Sequence, residues 1–176
     1  MCVIGLGGSG LGAIRRLQEL GVDVIGLDAG PVAGAAAGRN GGLLLGGTAA
    51  FHHDAVRELG EEAAVSWYHD TMAEIDRMLA ETPEAAHRTG SLRIAADEAE
   101  LTDCLEQQRV MEEHGLPVEP YRGPEGAGLL FPHDAVYNPL ARNRELARRA
   151  VRGGARLFTH SPVMELHNSL VRTERG

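Results

Sequence analysis

The opening of the chain alternates short apolar runs with one helical stripe. Cys2-Val3-Ile4 reads as a buried strand, and Leu11, Ile14, Leu17 and Leu20 recur at helical spacing until Gly21 supplies a stop. Val22 to Leu27 then reads as a second strand ending at Asp28. Strand, glycine-rich turn, helix and strand in that order make a βαβ unit. From Asp54 onward Val65, Tyr68, Met72, Ile75 and Leu79 form one apolar helical face that Pro83 ends. Gly90 to Ala96 alternates as a strand.

A helix follows behind Asp97 and Glu100, a capping pair, with Leu101, Cys104, Gln108 and Met111 tracing a face as far as Gly115. Pro117 to Gly128 reads as loop with at most a brief strand. Leu129-Leu130-Phe131 and Ala135-Val136-Tyr137 read as a strand pair or one bent strand. Asn138 as N-cap and Pro139 at the first helical position open a helix that Gly153-Gly154 closes. A strand over Ala155 to Thr159 and a hairpin around His167-Asn168-Ser169 complete the pattern.

Composition sharpens one feature. Glycine supplies 23 of 176 residues, about 13% against an ordinary ~7%. The excess concentrates in Gly5-Leu6-Gly7-Gly8-Ser9-Gly10 and Gly38-Arg39-Asn40-Gly41-Gly42, which points to two backbone-built loops. Gly5-x-Gly7-x-x-Gly10 is a weak motif alone, but here it follows a strand, opens a helix and precedes an acidic residue, Asp28, at the end of the next strand. That context matches the dinucleotide-binding fingerprint: Gly5 for the turn, Gly7 for close approach of a pyrophosphate and Gly10 for helix–sheet packing. Asp28 is placed to accept hydrogen bonds from a ribose. No Gly-Lys-Ser/Thr follows for a P-loop, and the last glycine of a nucleophile elbow is missing. The fingerprint alone does not separate FAD from NAD.

The two glycine clusters taken together, Val3 to Gly10 through Asp28 and then Ala37-Gly38-Arg39-Asn40-Gly41-Gly42, resemble the FAD-dependent oxidoreductases of the D-amino acid oxidase type, which include glycine and sarcosine oxidases. The Gly-Arg-Asn-Gly-Gly stretch is especially similar to the gamma-glutamylputrescine oxidase branch. Thr89 to Ala95, Phe131-Pro132 through Asn138-Pro139, Gly154 to Leu157 and Ser161-Pro162-Val163 extend the likeness along the chain. The resemblance implies an α/β fold, a Rossmann-like FAD-binding domain with part of an α+β substrate domain. It divides the chain into a first FAD-binding part (1–82), a substrate-domain portion (83–137) and a second FAD-binding part (138–176).

The cofactor implied is FAD. The activity implied is hydride transfer from the carbon beside an amine to flavin N5, leaving an imine that water hydrolyses, with dioxygen or another acceptor reoxidising the flavin. Residue by residue, Gly5, Gly7, Gly8 and Gly10 fall to the pyrophosphate, Asp28 to the ribose, Arg39, Asn40, Gly41 and Gly42 to the phosphate and flavin side, and Val163 to the adenine. Small residues in the second loop let backbone approach a ring system, and Arg39 supplies a fixed cation. Asp28 stands where the family usually has Glu, and Ile14 where it prefers a small residue. The first strand is short, and the family continues past the equivalent of Gly176, so the chain is expected to be an N-terminal portion lacking its catalytic residues. Expressed alone it is expected to associate through unpaired strand edges at Cys2-Val3-Ile4 and Leu170 to Thr173 and to show no amine turnover.

Charge and residue chemistry narrow the alternatives. A net charge of −8 without a basic block argues against nucleic-acid binding. No apolar stretch is long enough to span a bilayer, no secretory signal is recognisable, and a cytoplasmic location is expected. Cys2 and Cys104 read as buried apolar groups. His52-His53-Asp54 and His69-Asp70 do not make a metal site, since adjacent side chains diverge. His133-Asp134 reads as a turn, Tyr68 as core, and Arg142, Arg144, Arg148, Arg149 and Arg152 as a solvated face. A nicotinamide-dependent dehydrogenase, a non-catalytic dinucleotide-binding fragment, and a chain completed by a complementing partner or oligomer are the alternatives. An amine or amino-acid substrate is the small-molecule partner, and no residue stands out as a catalytic acid or base.

Overall fold

A computed structural model describes residues 1–168 and 170–174. In chain order its elements are β1 (Cys2–Ile4), α1 (Gly8–Glu19), β2 (Ile25–Leu27), a 3-10 turn (Ala36–Gly38), β3 (Leu43–Leu44), α2 (His52–Leu59), α3 (Glu61–Glu81), β4 (Ala86–Arg88), β5 (Ser91–Ile94), α4 (Glu98–Glu113), β6 (Glu119–Gly123), β7 (Gly126–Phe131), β8 (Ala135–Tyr137), α5 (Pro139–Arg152), β9 (Arg156–Phe158), β10 (Val163–His167) and β11 (Leu170–Thr173). They form two compact units: Met1–Gly42 with Asn138–Gly176, and Leu43–Tyr137. Helices α2 and α3 belong to the second compact unit.

In the first unit β1, β2 and β9 form a parallel sheet with β2 in the middle. Helices α1 and α5 pack on it around a core of Leu6, Leu11, Ile14, Val24, Ala147, Ala150 and Ala155. Gln18 Nε2 on α1 donates to the Ala150 carbonyl on α5 at 2.9 Å, tying the two helices. Helix α5 starts as the sequence suggests: the Asn138 side chain accepts from the Ala141 N–H at 3.0 Å and Pro139 opens the first turn. Three expectations are corrected here. Cys2 is exposed, because it lies on the sheet's edge strand. Arg142 is buried, because it shares the inward side of α5 with Asn143 and is no part of the solvated arginine face. Leu170 to Thr173 does have a paired edge, the antiparallel strand β10; Ser169, named in the expected hairpin, lies outside the described residues.

The second unit holds two three-stranded antiparallel sheets, β3-β8-β4 and β5-β7-β6, with helices α2, α3 and α4. Gly60, with a φ of +87° that favours glycine, breaks what reads in sequence as one helix into α2 and α3. Asp97 caps α4 by accepting from the Glu100 N–H at 2.8 Å, and the Glu100 carboxylate accepts from the Ala96 N–H at 2.9 Å. The loop expected at Pro117 to Gly128 is instead hairpin β6–β7. Pro120 is tolerated because β6 is an edge strand, and Gly128 is required because a Cβ there would lie 1.9 Å from the Arg93 carbonyl oxygen of the paired strand. Leu129 to Phe131 and Ala135 to Tyr137 are not partners: they belong to different sheets.

Buried polar groups in this unit are used structurally. The Asp134 carboxylate accepts from the Gly46 N–H at 2.9 Å and from Ser91 Oγ at 2.6 Å, which explains a buried acid where sequence suggests a turn. Tyr68 is core, its hydroxyl pKa pushed up to about 12 by burial and then by Asp134, so it stays neutral. His52 is buried with its Nε2 3.0 Å from His114 Nδ1 and its ring edge-on to Tyr68; His114 Nε2 lies 3.7 Å from Glu61 Oε1. Burial first, then the neighbouring His114 and His53, hold the His52 pKa below its ordinary 6.5. The unfolded chain therefore takes up the proton more readily, and stability must fall as pH drops through 6.5 towards the folded value. Thermal unfolding followed by circular dichroism between pH 7.5 and 5.5 should show this loss, and His52→Gln should flatten it. Equal slopes in the two proteins would assign the pH dependence elsewhere.

Candidate functional site

The site is built in the first unit from the exits of β1 and β2. Gly5 extends the parallel ladder, its N–H donating to the Leu27 carbonyl at 2.7 Å, and then turns the chain with a φ of +97°. Helix α1 begins at Gly8 behind Gly7, with no side-chain cap and no acidic residue in its first turn. Its first N–H groups thus have neither an intrahelical acceptor nor a capping oxygen, and the positive end of the helix dipole lies among them. Gly10 brings this turn against the strand: a Cβ there would lie 1.8 Å from the Gly5 carbonyl oxygen.

Asp28 fixes the loop. Its carboxylate accepts from the Leu6 N–H at 2.7 Å and from the Gly30 N–H at 2.8 Å, while the Leu6 carbonyl accepts from Ala33 N–H at 3.0 Å. The fully buried Leu6 is thereby pinned at both its N–H and its carbonyl to the segment that follows β2. The shorter Asp side chain is accommodated because it binds the glycine loop itself, with each oxygen retaining a lone pair for a further donor. The Asp28 backbone N–H donates to the Phe158 carbonyl at 3.0 Å and its carbonyl accepts from the Ser161 N–H at 2.8 Å. Those bonds carry the chain past Asp28 to Val163 at the start of β10.

The second glycine cluster meets the first. A Cβ on Gly7 would lie 3.2 Å from the Ala37 Cβ, and one on Gly8 would lie 3.8 Å from Asn143 Oδ1. Asn40 folds the second loop on itself: Nδ2 donates to the Ala36 and Ala37 carbonyls at 3.3 and 3.2 Å, and Oδ1 accepts from the Gly42 N–H at 3.0 Å. Gly42, buried with a φ of +71°, ends this turn, and Gly41 has open space at its Cβ position. Arg39 is exposed and has no ion-pair partner among the described residues.

Asn143 is the residue that the sequence reading passes over. It is buried on α5, and its Nδ2 donates to the Ala37 and Pro139 carbonyls at 3.1 and 2.8 Å, so it joins the second loop to the helix. The signal was available: Asn143, Ala147 and Ala150 recur at helical spacing on one face. The glycine-only helix start, the Asp28 bracket and the close-packed second loop fit a dinucleotide whose phosphates need bare N–H groups. Among the described residues no cluster of three metal-ligating side chains occurs, and no helix is long and apolar enough to cross a membrane.

Comparison with known proteins decides the family. The family model described as FAD dependent oxidoreductase matches residues 1–176. The chain belongs to this family. FAD is the family's cofactor, which replaces the nicotinamide alternative. The Haemophilus influenzae protein named "Probable oxidoreductase OrdL" is 26% identical over 187 residues, covering 94% of this chain and 42% of that protein. An L-amino acid deaminase from Proteus myxofaciens superposes with a TM-score of 0.77 at 21% identity, covering 99% of this chain and 42% of the other. A glycine oxidase from Geobacillus kaustophilus gives 0.76 at 16% identity, covering 99% and 51%. These structures establish the shared fold, and the chain spans about half the length of the relatives it matches.

The contact between Gly10 and Gly5 gives a direct test. Gly10→Ala should destabilise the protein by about 3 kcal/mol, the upper end of overpacking costs, because backbone must move. Gly12→Ala, two residues along the same helix with open space at its Cβ position, should be neutral or stabilising by roughly 0.5–1 kcal/mol. Urea denaturation of both variants measures the difference, and equal effects would mean that the helix start is not pressed against the strand.

Proposed function

We propose that the chain uses this site to hold FAD for oxidation of a carbon–nitrogen bond in an amine or amino acid. The observation that carries the reading is the convergence of the uncapped start of α1, the Asp28 carboxylate and the Gly38 to Gly42 loop in one unit. When bound, FAD supplies a hydride acceptor. The chain's own residues do the holding. N–H groups of Gly8, Ser9 and Gly10 face the pyrophosphate, Asp28 accepts from ribose hydroxyls through its remaining lone pairs, and the backbone at Val163 borders the adenine. Arg39 supplies a counter-charge on the phosphate side, while Asn40, Gly41 and Gly42 present backbone to the flavin. Asn143 keeps the second loop in place by holding the Ala37 carbonyl.

The relatives' names support a nitrogen-bearing substrate: two of the proteins above are named for amino-acid chemistry. An amine or amino acid is therefore the proposed substrate, with dioxygen or another acceptor taking the electrons, and a complementing chain or oligomer as the proposed macromolecular partner.

FAD titration, followed by flavin fluorescence, tests the cofactor assignment. Gly7→Val should abolish binding, since the branched side chain strikes Ala37 and separates the two loops. Asp28→Ala should weaken it roughly ten- to a hundredfold, the cost of losing charge-assisted hydrogen bonds, about 1.5–3 kcal/mol. Unchanged affinity in Gly7→Val would sink the assignment. With the proposed complementing chain present, loss of the flavin's long-wavelength absorbance under nitrogen on adding amines, but not 2-hydroxy acids, is expected for carbon–nitrogen chemistry; the opposite preference would redirect it to carbon–oxygen bonds.

A further inference from the structure

Within the second unit a groove of about 500 Å³ runs between the Leu43-Leu44-Leu45 segment and one face of α3. Trp67, Asp70, Ile75 and Met78 recur at helical spacing on that face. Leu43, Leu45 and Trp67 are each at least half exposed there, so the groove presents apolar side chains to solvent.

The charges along the rim decide what suits it. Glu74 also lines the groove, but its carboxylate is engaged by both Nε and a terminal nitrogen of Arg77, whose other terminal nitrogen donates to Glu81 at 2.8 Å. Arg77 is thus committed to two carboxylates. Asp70 has no hydrogen bond or ion pair among the described residues. The groove therefore offers one unneutralised carboxylate, an indole ring three residues away on the same face, and an aliphatic floor. That combination suits an organic cation: the carboxylate takes ammonium N–H donors, the indole face attracts positive charge, and the floor takes an alkyl or aryl body. An anion has no counter-charge here. The carboxylate of a zwitterionic amino acid would meet Asp70 and Glu74, and no Lys or Arg among the described residues lines the groove.

We propose that this groove captures a primary ammonium carried on an apolar body. The inference goes beyond the proposed function, since it gives the second unit a ligand site of its own. Its test needs no flavin, so its failure and that of the cofactor assignment are separable.

Trp67 is the chain's only tryptophan and lies in the groove, so its emission reports occupancy directly. Hexylamine, hexanol and hexanoate, each titrated at neutral pH without FAD, present the same tail with a cation, a neutral group and an anion. Saturable change is expected with hexylamine, with affinity about fivefold above hexanol, and hexanoate weakest. Asp70→Asn should lower hexylamine affinity to that of hexanol and leave hexanol unchanged. Asp70 is on an exposed helix surface, and unchanged circular dichroism would show that the variant folds. Equal affinity for amine and alcohol, an Asp70→Asn loss shared by all three, or emission that varies with protein concentration alone, indicating a second copy in the groove, would each overturn the proposal.

Discussion

The first unit depends on how closely the first turn of α1 approaches the end of β1. With a Cβ at residue 10 placed only 1.8 Å from the Gly5 carbonyl oxygen, the helix start and the strand exit share space that only hydrogen can occupy. This contact aims the unpaired N–H groups of the helix out of the sheet's carboxyl end, and it sets the height at which Leu11 and Ile14 enter the core. Asp28 then turns a packing contact into a fixed geometry. By accepting from Leu6 and Gly30 it binds the turn after β1 to the turn after β2, and its own backbone bonds to Phe158 and Ser161 add the turn after β9. Three strand exits are locked through one residue, so the acid does structural service whatever else it binds.

Much of this was legible in the sequence because the signals are local. A strand, a glycine spacing, a helix and an acid at the next strand's end are all read within one βαβ unit, and the caps at Asp97 and Asn138 declare themselves by residue type and spacing. What escaped notice depends on contacts distant in the chain. Asn143 gains its role only when α5 meets the Ala37 carbonyl, 106 residues earlier in sequence. Gly128 reads as a loop glycine until β5 is laid beside it, and Pro120 reads as a strand breaker until β6 proves to be an edge. Cys2 and Arg142 failed for a related reason: an apolar run does not tell a central strand from an edge, and a basic helix does not tell which arginine points inward.

The chain order raises a physical question, since the first unit is interrupted between Gly42 and Asn138 by the whole of the second. Closing so long a flexible loop would cost on the order of 4 kcal/mol in chain entropy, a large share of a small unit's stability. The topology of the inserted unit lowers that cost. Its first strand, β3, pairs antiparallel with its last, β8, with Leu43 opposite Val136 and Leu44 opposite Ala135. Once the second unit is folded, the chain re-emerges within about a strand spacing of where it entered, so the loop is closed by the inserted unit's own hydrogen bonds. The residues flanking the insertion are those the site needs together. Gly42 ends the second glycine loop, and Asn138 caps the helix that carries Asn143 back to Ala37. Pairing of β3 with β8 therefore lowers the entropic cost of joining the two chain segments of the first unit as well as holding the inserted unit together.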